Sequence, residues 1–327
     1  MSGGDEGDRT LDLRIANATL SQLSYVPTVV QRGRDFTTAY GSATIPATTR
    51  FSPGRYNLIL LGIPGSRCHM DIKPPYGYQE IVPLTRQHRV LLPMERKLPV
   101  VFRSLTALPL SYSEFAVACR DYPIAFVNSN GHQNFIAMAV LGMENQQNLF
   151  VAADEGWDAG VYLPAYVRRY PFCMTRVTVD GQEQAERVAC VEKRAINDKG
   201  EPLYDAKGEP LAAWDERRKL LFEYETDLVR SEEMSRALAG LGLLETFTMQ
   251  AIPNQGEPLA MTGMYRVSEE KLAGLAPETL KELMQKGILA RVYAHLISLS
   301  NFGRLLDRRA AQPKPAPAPT QDRKKPN

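Results

Sequence analysis

The sequence predicts an α+β fold in which an antiparallel or mixed sheet with hairpins packs against C-terminal helices. Three observations lead to this prediction. Short apolar runs separated by turn residues fill the middle of the chain, a long amphipathic stretch covers residues 215–239, and helical periodicity returns between residues 268 and 308. A chain of 327 residues can bury an ample hydrophobic core.

The strands are predicted from apolar or alternating runs that end at turn residues. Asn128-Ser-Asn-Gly131 and Glu144-Asn-Gln-Gln147 separate three of these runs, which favours an antiparallel meander. The predicted strands are residues 57–63, 89–92, 100–102, 124–128, 134–141, 148–152, 174–179, 187–191, 246–252 and 259–267.

Helices are predicted where capping residues precede apolar periodicity. Ser111 and Glu114 form a capping-box sequence and predict a helix that ends before Pro123. A last helix over residues 288–308 carries His295 on its apolar stripe, where a core histidine with one hydrogen-bond partner and a general base are the alternatives.

Two copies of Lys-Gly-Glu-Pro-Leu, centred on Gly200 and Gly208, predict consecutive hairpin tips.

Composition divides the chain into three parts. Residues 1–75 are predicted to be an N-terminal extension, partly extended or irregular, residues 76–310 the α+β domain, and residues 311–327 a disordered, proline-rich basic tail. This tail carries four basic residues against one acidic residue, so the formal charge of +2 becomes −1 for the rest of the chain. A near-neutral body argues against broad nucleic-acid binding.

The same composition predicts a cytoplasmic protein. The start of the chain is acidic and lacks the apolar core of a secretory signal, and no apolar run is long enough to span a membrane. Four cysteines are widely spaced, which favours free thiols in a reducing compartment, with a disulfide pair as the alternative.

The segment from Gly156 to Phe172 combines aromatic rings, two prolines and an arginine pair. Its rings and arginines are typical either of a structural corner, where the arginines pair with nearby acids, or of a recognition site that clamps an anionic group. Pro164 and Pro171 limit any helix between them to about two turns. The candidate ligand-binding residues are Trp157, Tyr162, Arg168, Arg169, Tyr170 and His295.

The sequence contains none of the common catalytic or nucleotide-binding motifs. We therefore predict no catalytic residue, no cofactor and no metal site. A carboxylate cluster formed by Asp154, Glu155 and Asp158 keeps acid–base chemistry open as an alternative.

Four segments resemble the bacterial SapC family of soluble proteins: Ser113-Glu-Phe-Ala with Asp121-Tyr-Pro-Ile-Ala-Phe, the 157–172 segment, Leu203-Tyr-Asp-Ala-Lys-Gly-Glu-Pro210, and Asn301-Phe-Gly-Arg-Leu-Leu-Asp-Arg308. The resemblance implies no enzymatic activity and no catalytic residue. An ABC-transporter permease shares the name, but that protein spans the membrane and does not fit this chain.

These observations together favour a non-catalytic binding or accessory protein of a bacterial envelope or uptake pathway. It would hold a small anionic or peptide-like ligand, or a partner segment, at the 157–170 corner. An enzyme that uses the same pocket is one alternative, and a structural protein associated with a surface layer is another. The sequence does not predict an oligomeric state.

Overall fold

The structure, a computed structural model, describes residues 70–93, 97–129, 134–179, 182–251 and 259–312. These ranges form an α+β structure, as predicted. The predicted strand over residues 57–63 and most of the proposed N-terminal extension and basic tail lie outside them. The strands are β1 Met70–Asp71, β2 Ile81–Pro83, β3 Arg89–Val90, β4 Ala107–Pro109, β5 Ile124–Asn128, β6 Phe135–Val140, β7 Phe172–Val179, β8 Gln182–Glu192, β9 Glu201–Pro202, β10 Leu244–Ala251 and β11 Leu259–Val267.

Seven α-helices lie in the same described ranges, and 3-10 turns accompany them. The longest helix is the amphipathic stretch predicted from the sequence, and the last four follow the sheet strands at the C-terminal end. The helices are α1 Phe115–Ala118, α2 Ala165–Arg168, α3 Ala212–Gly240, α4 Glu269–Ala273, α5 Pro277–Gln285, α6 Ile288–Ser298 and α7 Asn301–Ala311.

The strands form two principal antiparallel sheets and one small pair. The first sheet has the order β10-β11-β5-β6-β4, the second has the order β1-β7-β8-β2, and β3 pairs with β9. Adjacent strands in sequence form the hairpins β5–β6, β7–β8 and β10–β11, which confirms the predicted hairpin arrangement. Antiparallel pairing follows because these strands are joined by short connections.

Helix α3 joins the two sheets because it contacts β6 of the first and β7 of the second. Tyr224, Met234 and Leu238 bury their side chains in the main core. Trp214 and Leu221, near the start of the helix, lie in a smaller core beside the second sheet. This one helix therefore packs against both sheets.

Two segments predicted as strands adopt turns instead. Residues 100–102 form a 3-10 turn that begins at Pro99, with the Phe102 N–H donating to the Pro99 carbonyl at 2.9 Å. Residues 148–152 are held by Asn148, whose amide donates to the Phe102 carbonyl and whose Oδ1 accepts from the Phe150 N–H. A side chain that bonds its own backbone competes with strand pairing, and apolar content alone did not reveal it.

The predicted single C-terminal helix is broken between α6 and α7. At the break, the N–H groups of Leu299 and Ser300 bond to carbonyls only three residues back. The Asn301 amide donates to the carbonyls of Cys119 and Tyr122, at 2.7 and 3.1 Å. These long-range bonds fix the direction of α7, which periodicity could not predict.

The two repeat copies differ in why they contain glycine. Gly208 has a φ of +84°, as expected at a hairpin tip. Gly200 instead packs against β3, where an added Cβ would lie 2.5 Å from the Val90 carbonyl carbon. The first copy therefore needs glycine for space, and the second needs it for backbone conformation.

The described cysteines Cys119, Cys173 and Cys190 are free thiols, and Cys68 lies outside the described residues. Burial raises the pKa of the Cys173 and Cys190 thiols, which face each other across β7 and β8.

Within the described ranges, no helix has both the length and the apolar character needed to cross a bilayer.

The contact at Gly200 predicts a stability effect. Gly200→Ala should destabilise the protein by about 2 kcal/mol, because the new methyl group can be accommodated only if the Val90 backbone moves. Urea denaturation measures the loss. Gly240→Ala at the end of α3 is the control, since its Cβ would meet nothing within 4 Å and should be neutral or slightly stabilising. Equal effects of the two substitutions would contradict the packing argument.

Candidate functional site

The arginine pair lies at the end of α2, a helix of four residues. Pro164 precedes α2 in extended conformation, and the Val167 and Arg168 N–H groups bond to its carbonyl. The helix ends after one turn, within the predicted limit, and the Tyr170–Pro171 peptide bond is cis. Even within one helical turn, the side chains of two consecutive residues point in different directions, as those of Arg168 and Arg169 do here.

Glu114 fixes this turn to the start of α1. Its Oε2 accepts from the Ser111 N–H at 2.9 Å and the Ser111 hydroxyl at 2.7 Å, which confirms the predicted capping box. Its Oε1 accepts from the Tyr162 hydroxyl at 3.0 Å and from the Ala165 N–H at 2.6 Å. One buried carboxylate thus holds the start of α1 and the start of α2 together.

Arg168 points toward solvent. Its Nη2 donates to the Tyr162 hydroxyl at 3.0 Å, and its Nε donates to the Leu163 carbonyl at 3.1 Å. Burial, followed by the Glu114 carboxylate, raises the pKa of Tyr162 to about 12, so this phenol stays protonated at neutral pH. Arg168 and Tyr162 line an open surface cleft beside α3, together with Asp227.

Arg169 points inward and is 2 % exposed. Its guanidinium lies 4.2 Å from the ring of Tyr166, 4.6 Å from that of Tyr224 and 5.7 Å from that of Tyr78. Among the described residues, its Nε, Nη1 and Nη2 have no hydrogen-bond partner. Contacts with aromatic rings compensate only part of the cost of burying a guanidinium, so this side chain is under-satisfied.

Glu225 is the acid nearest to Arg169. Its Oε1 lies 3.9 Å from Arg169 Nη1, too far for a hydrogen bond, and it has no hydrogen-bond partner among the described residues. Its Oε2 accepts from Arg187. Burial raises the pKa of Glu225, although both arginines oppose this shift. Two guanidinium groups therefore share one carboxylate, and the guanidinium of Arg169 makes no hydrogen bond to it.

Arg169 forms part of the wall of a cavity of about 70 Å³ that opens to solvent on one side. We call it the Arg169 cavity. It lies between α3, the first sheet and the end of α2. The lining residues are Tyr76, Pro109, Leu110, Asn134, Phe135, Ile136, Ala137, Met138, Tyr166, Arg169, Arg187, Tyr224, Leu228, Ser231, Glu232 and Ser235.

Trp157 and Tyr170 lie in the core beside this site. The Trp157 indole N–H is within hydrogen-bond distance of the Tyr122 hydroxyl and the Tyr162 carbonyl, and its ring stacks on Phe150. Tyr170 packs edge-on against Phe102. The structure places neither residue on the wall of the Arg169 cavity or of the open cleft.

His295 is fully buried between β5 and β11, away from both walls. The Val267 N–H donates to Nε2 at 3.1 Å, so the ring proton belongs on Nδ1, which donates to the Ile124 carbonyl at 2.8 Å. Burial lowers the pKa of His295 to about 4, so the ring is neutral at pH 7. Both ring nitrogens are engaged in joining two strands.

Several cavity residues were missed by the sequence analysis. Tyr224, Leu228, Ser231 and Ser235 line the cavity from α3, at a spacing of four, three and four residues. Two serines on the inner stripe of an otherwise apolar helix face were the available signal. No sequence pattern marked Glu225 and Arg187 as site residues, because only the fold brings them beside Arg169.

In the described residues, no group of three or more metal-ligating side chains occurs.

The sequence profile of the SapC family matches residues 85–305, which is more than half of the chain. The chain belongs to the SapC family. No curated protein and no solved structure matches it. The matched SapC region contains Glu114, Arg169, Glu225 and His295.

Glu114 has a testable structural role. Glu114→Gln should destabilise the protein by about 2–3 kcal/mol, because an amide nitrogen cannot accept the hydrogen bonds that the carboxylate oxygen accepts. Chemical denaturation measures this loss. Glu223→Gln on the exposed side of α3 is the matched control and should change the free energy of unfolding by less than about 0.5 kcal/mol.

His295 predicts a pH dependence of stability. Its pKa is about 4 in the folded protein and about 6.5 when unfolded, so the unfolded state takes up the proton first as pH falls. Between pH 7.5 and pH 5 this one group should lower the free energy of unfolding by about 2 kcal/mol. Urea denaturation at both pH values should show a smaller acid-induced loss in His295→Gln. An unchanged loss would argue against this assignment.

Proposed function

We propose that this SapC-family protein is a non-catalytic binding protein that holds a small anionic or peptide-like ligand through Arg169. One observation carries the proposal: a fully buried guanidinium, without a hydrogen-bond partner among the described residues, forms part of the wall of an open cavity. Buried arginines in proteins normally find carboxylate or carbonyl partners. A ligand carboxylate would supply the missing acceptors.

The electrostatic balance supports the same conclusion. Arg169 and Arg187 share Glu225, which leaves one positive charge poorly compensated inside the protein. In a site with little water, an incoming anion gains more from a guanidinium than it would at the surface. Anion binding would therefore reduce the free-energy cost of burying the Arg169 guanidinium without a hydrogen-bond partner.

The remaining candidate residues lie outside the wall of the Arg169 cavity. Trp157 and Tyr170 build the core behind α2, and Arg168 with Tyr162 lies on the open cleft. The unpaired thiols of Cys119, Cys173 and Cys190 support a cytoplasmic setting. A role in a bacterial envelope or uptake pathway stays a prediction from the family resemblance.

Arg169→Met is the test of this function. Methionine keeps much of the side-chain volume while removing the charge, and Glu225 keeps its contact with Arg187. We expect the free energy of unfolding to change by no more than about 1 kcal/mol, because a poorly paired buried charge contributes little to stability. Isothermal titration with acetate, succinate and inorganic phosphate should show saturable anion binding to the native protein and its loss in Arg169→Met.

Arg168→Met is the matched control, since it removes the neighbouring charge outside the Arg169 cavity. It should leave anion binding unchanged. A loss of more than about 3 kcal/mol in Arg169→Met, with no anion binding to the native protein, would show that Arg169 serves as an internal ion pair.

A further inference from the structure

We infer that the ligand of the Arg169 cavity is a monocarboxylate with a short apolar body. This inference rests on the proposed function, because it names the chemical class that the same cavity would take. Three features of the wall carry it: the charges beside Arg169, the apolar surface opposite them, and the size of the space.

The charges favour a single negative charge on the ligand. Arg169 and Arg187 supply two cations, while Glu225 lies within 3.9 Å of Arg169 and Glu232 lines the cavity. Burial raises the pKa of Glu232, which also lies near Arg176, Arg187 and Arg236. These two acids already match the charges of Arg169 and Arg187, so the second negative charge of a phosphate dianion or a dicarboxylate would add to the repulsion. A monocarboxylate brings only one negative charge.

A carboxylate also fits the donor geometry. The guanidinium presents its N–H groups in a planar fork that pairs with the two oxygens of a carboxylate. The three tyrosine rings contact the guanidinium through their π surfaces and offer it no hydrogen-bond acceptor atoms at these distances. All three nitrogens therefore lack an oxygen acceptor among the described residues, and because they are buried a carboxylate reaches them only when a side chain of the wall moves.

The rest of the wall is largely apolar. Leu110, Ala137 and Met138 line it from the first sheet, and Leu228 lines it from α3. Met138 and Leu110 are almost fully buried, so the surface that meets the ligand body is built into the core. Each methylene transferred from water to such a surface strengthens binding about fourfold.

The volume limits the length of the body. A cavity of about 70 Å³ is roughly half the size that accommodates benzene, which has six non-hydrogen atoms, so it holds about three non-hydrogen atoms. The carboxylate group alone supplies three, so longer chains would extend through the open side into solvent. The predicted ligand therefore resembles acetate or propanoate more than a fatty acid or an aromatic acid.

A chain-length series on the full protein tests this inference. Isothermal titration with acetate, propanoate, butanoate and hexanoate should show affinity rising by at most about fourfold from acetate to propanoate and levelling off there. Butanamide, succinate and inorganic phosphate should bind at least about tenfold more weakly than butanoate. Arg169→Met should weaken butanoate binding by about ten- to a hundredfold, and Arg168→Met should not.

Ala137→Leu tests the apolar body separately from the charge. The larger side chain occupies part of the cavity without touching the charge on Arg169, so butanoate should bind no more tightly than acetate. A variant that keeps the full chain-length gain would overturn the assignment of this wall to the ligand body.

The outcomes separate the inference from the proposed function. If phosphate or succinate binds as tightly as butanoate, and Arg169→Met abolishes that binding, the monocarboxylate class is wrong while anion binding at Arg169 stands. If no anion binds in a way that depends on Arg169, both the class and the proposed function are wrong. Affinity that does not change with chain length overturns the apolar body alone.

Discussion

The buried carboxylate of Glu114 is the constraint on which the arrangement of the site depends. It accepts hydrogen bonds from two groups on Ser111 and two groups at residues 162 and 165, so it fixes the α2 turn against the entrance of α1. Arg169 follows within the next turn and is buried because α2 starts where it does. A capping interaction that ordinarily stabilises one helix end here also positions the side chain that lines the cavity.

Much of the fold followed from local sequence patterns. The three main hairpins, the long helix α3 and the capping box were all predicted, because each depends on residues close together in the chain. Two of the errors came where distant contacts decide the structure. The 148–152 segment is held by an Asn148 bond to Phe102, and the break before α7 is held by Asn301 bonds to Cys119 and Tyr122.

Of the six candidate residues named from the sequence, only Arg169 lies on the wall of the Arg169 cavity. Aromatic residues and paired arginines marked residues 157–170, yet the sequence could not tell Arg168 from Arg169. The difference comes from α2, in which a step of one residue turns the side chain by about 100°. The acid nearest to Arg169 comes from α3, more than fifty positions along the chain, so no local pattern could reveal it. His295 met the sequence criteria for a polar residue in an apolar stripe, and the structure places it between two strands.

Tyr224 lines both the Arg169 cavity and the open cleft that contains Arg168. Its side chain therefore contributes to two walls of different chemistry, one mainly apolar and the other carrying Glu114, Glu223 and Asp227. A substitution at this one position alters both spaces at once, so ligand binding in one of them is coupled by construction to the shape of the other.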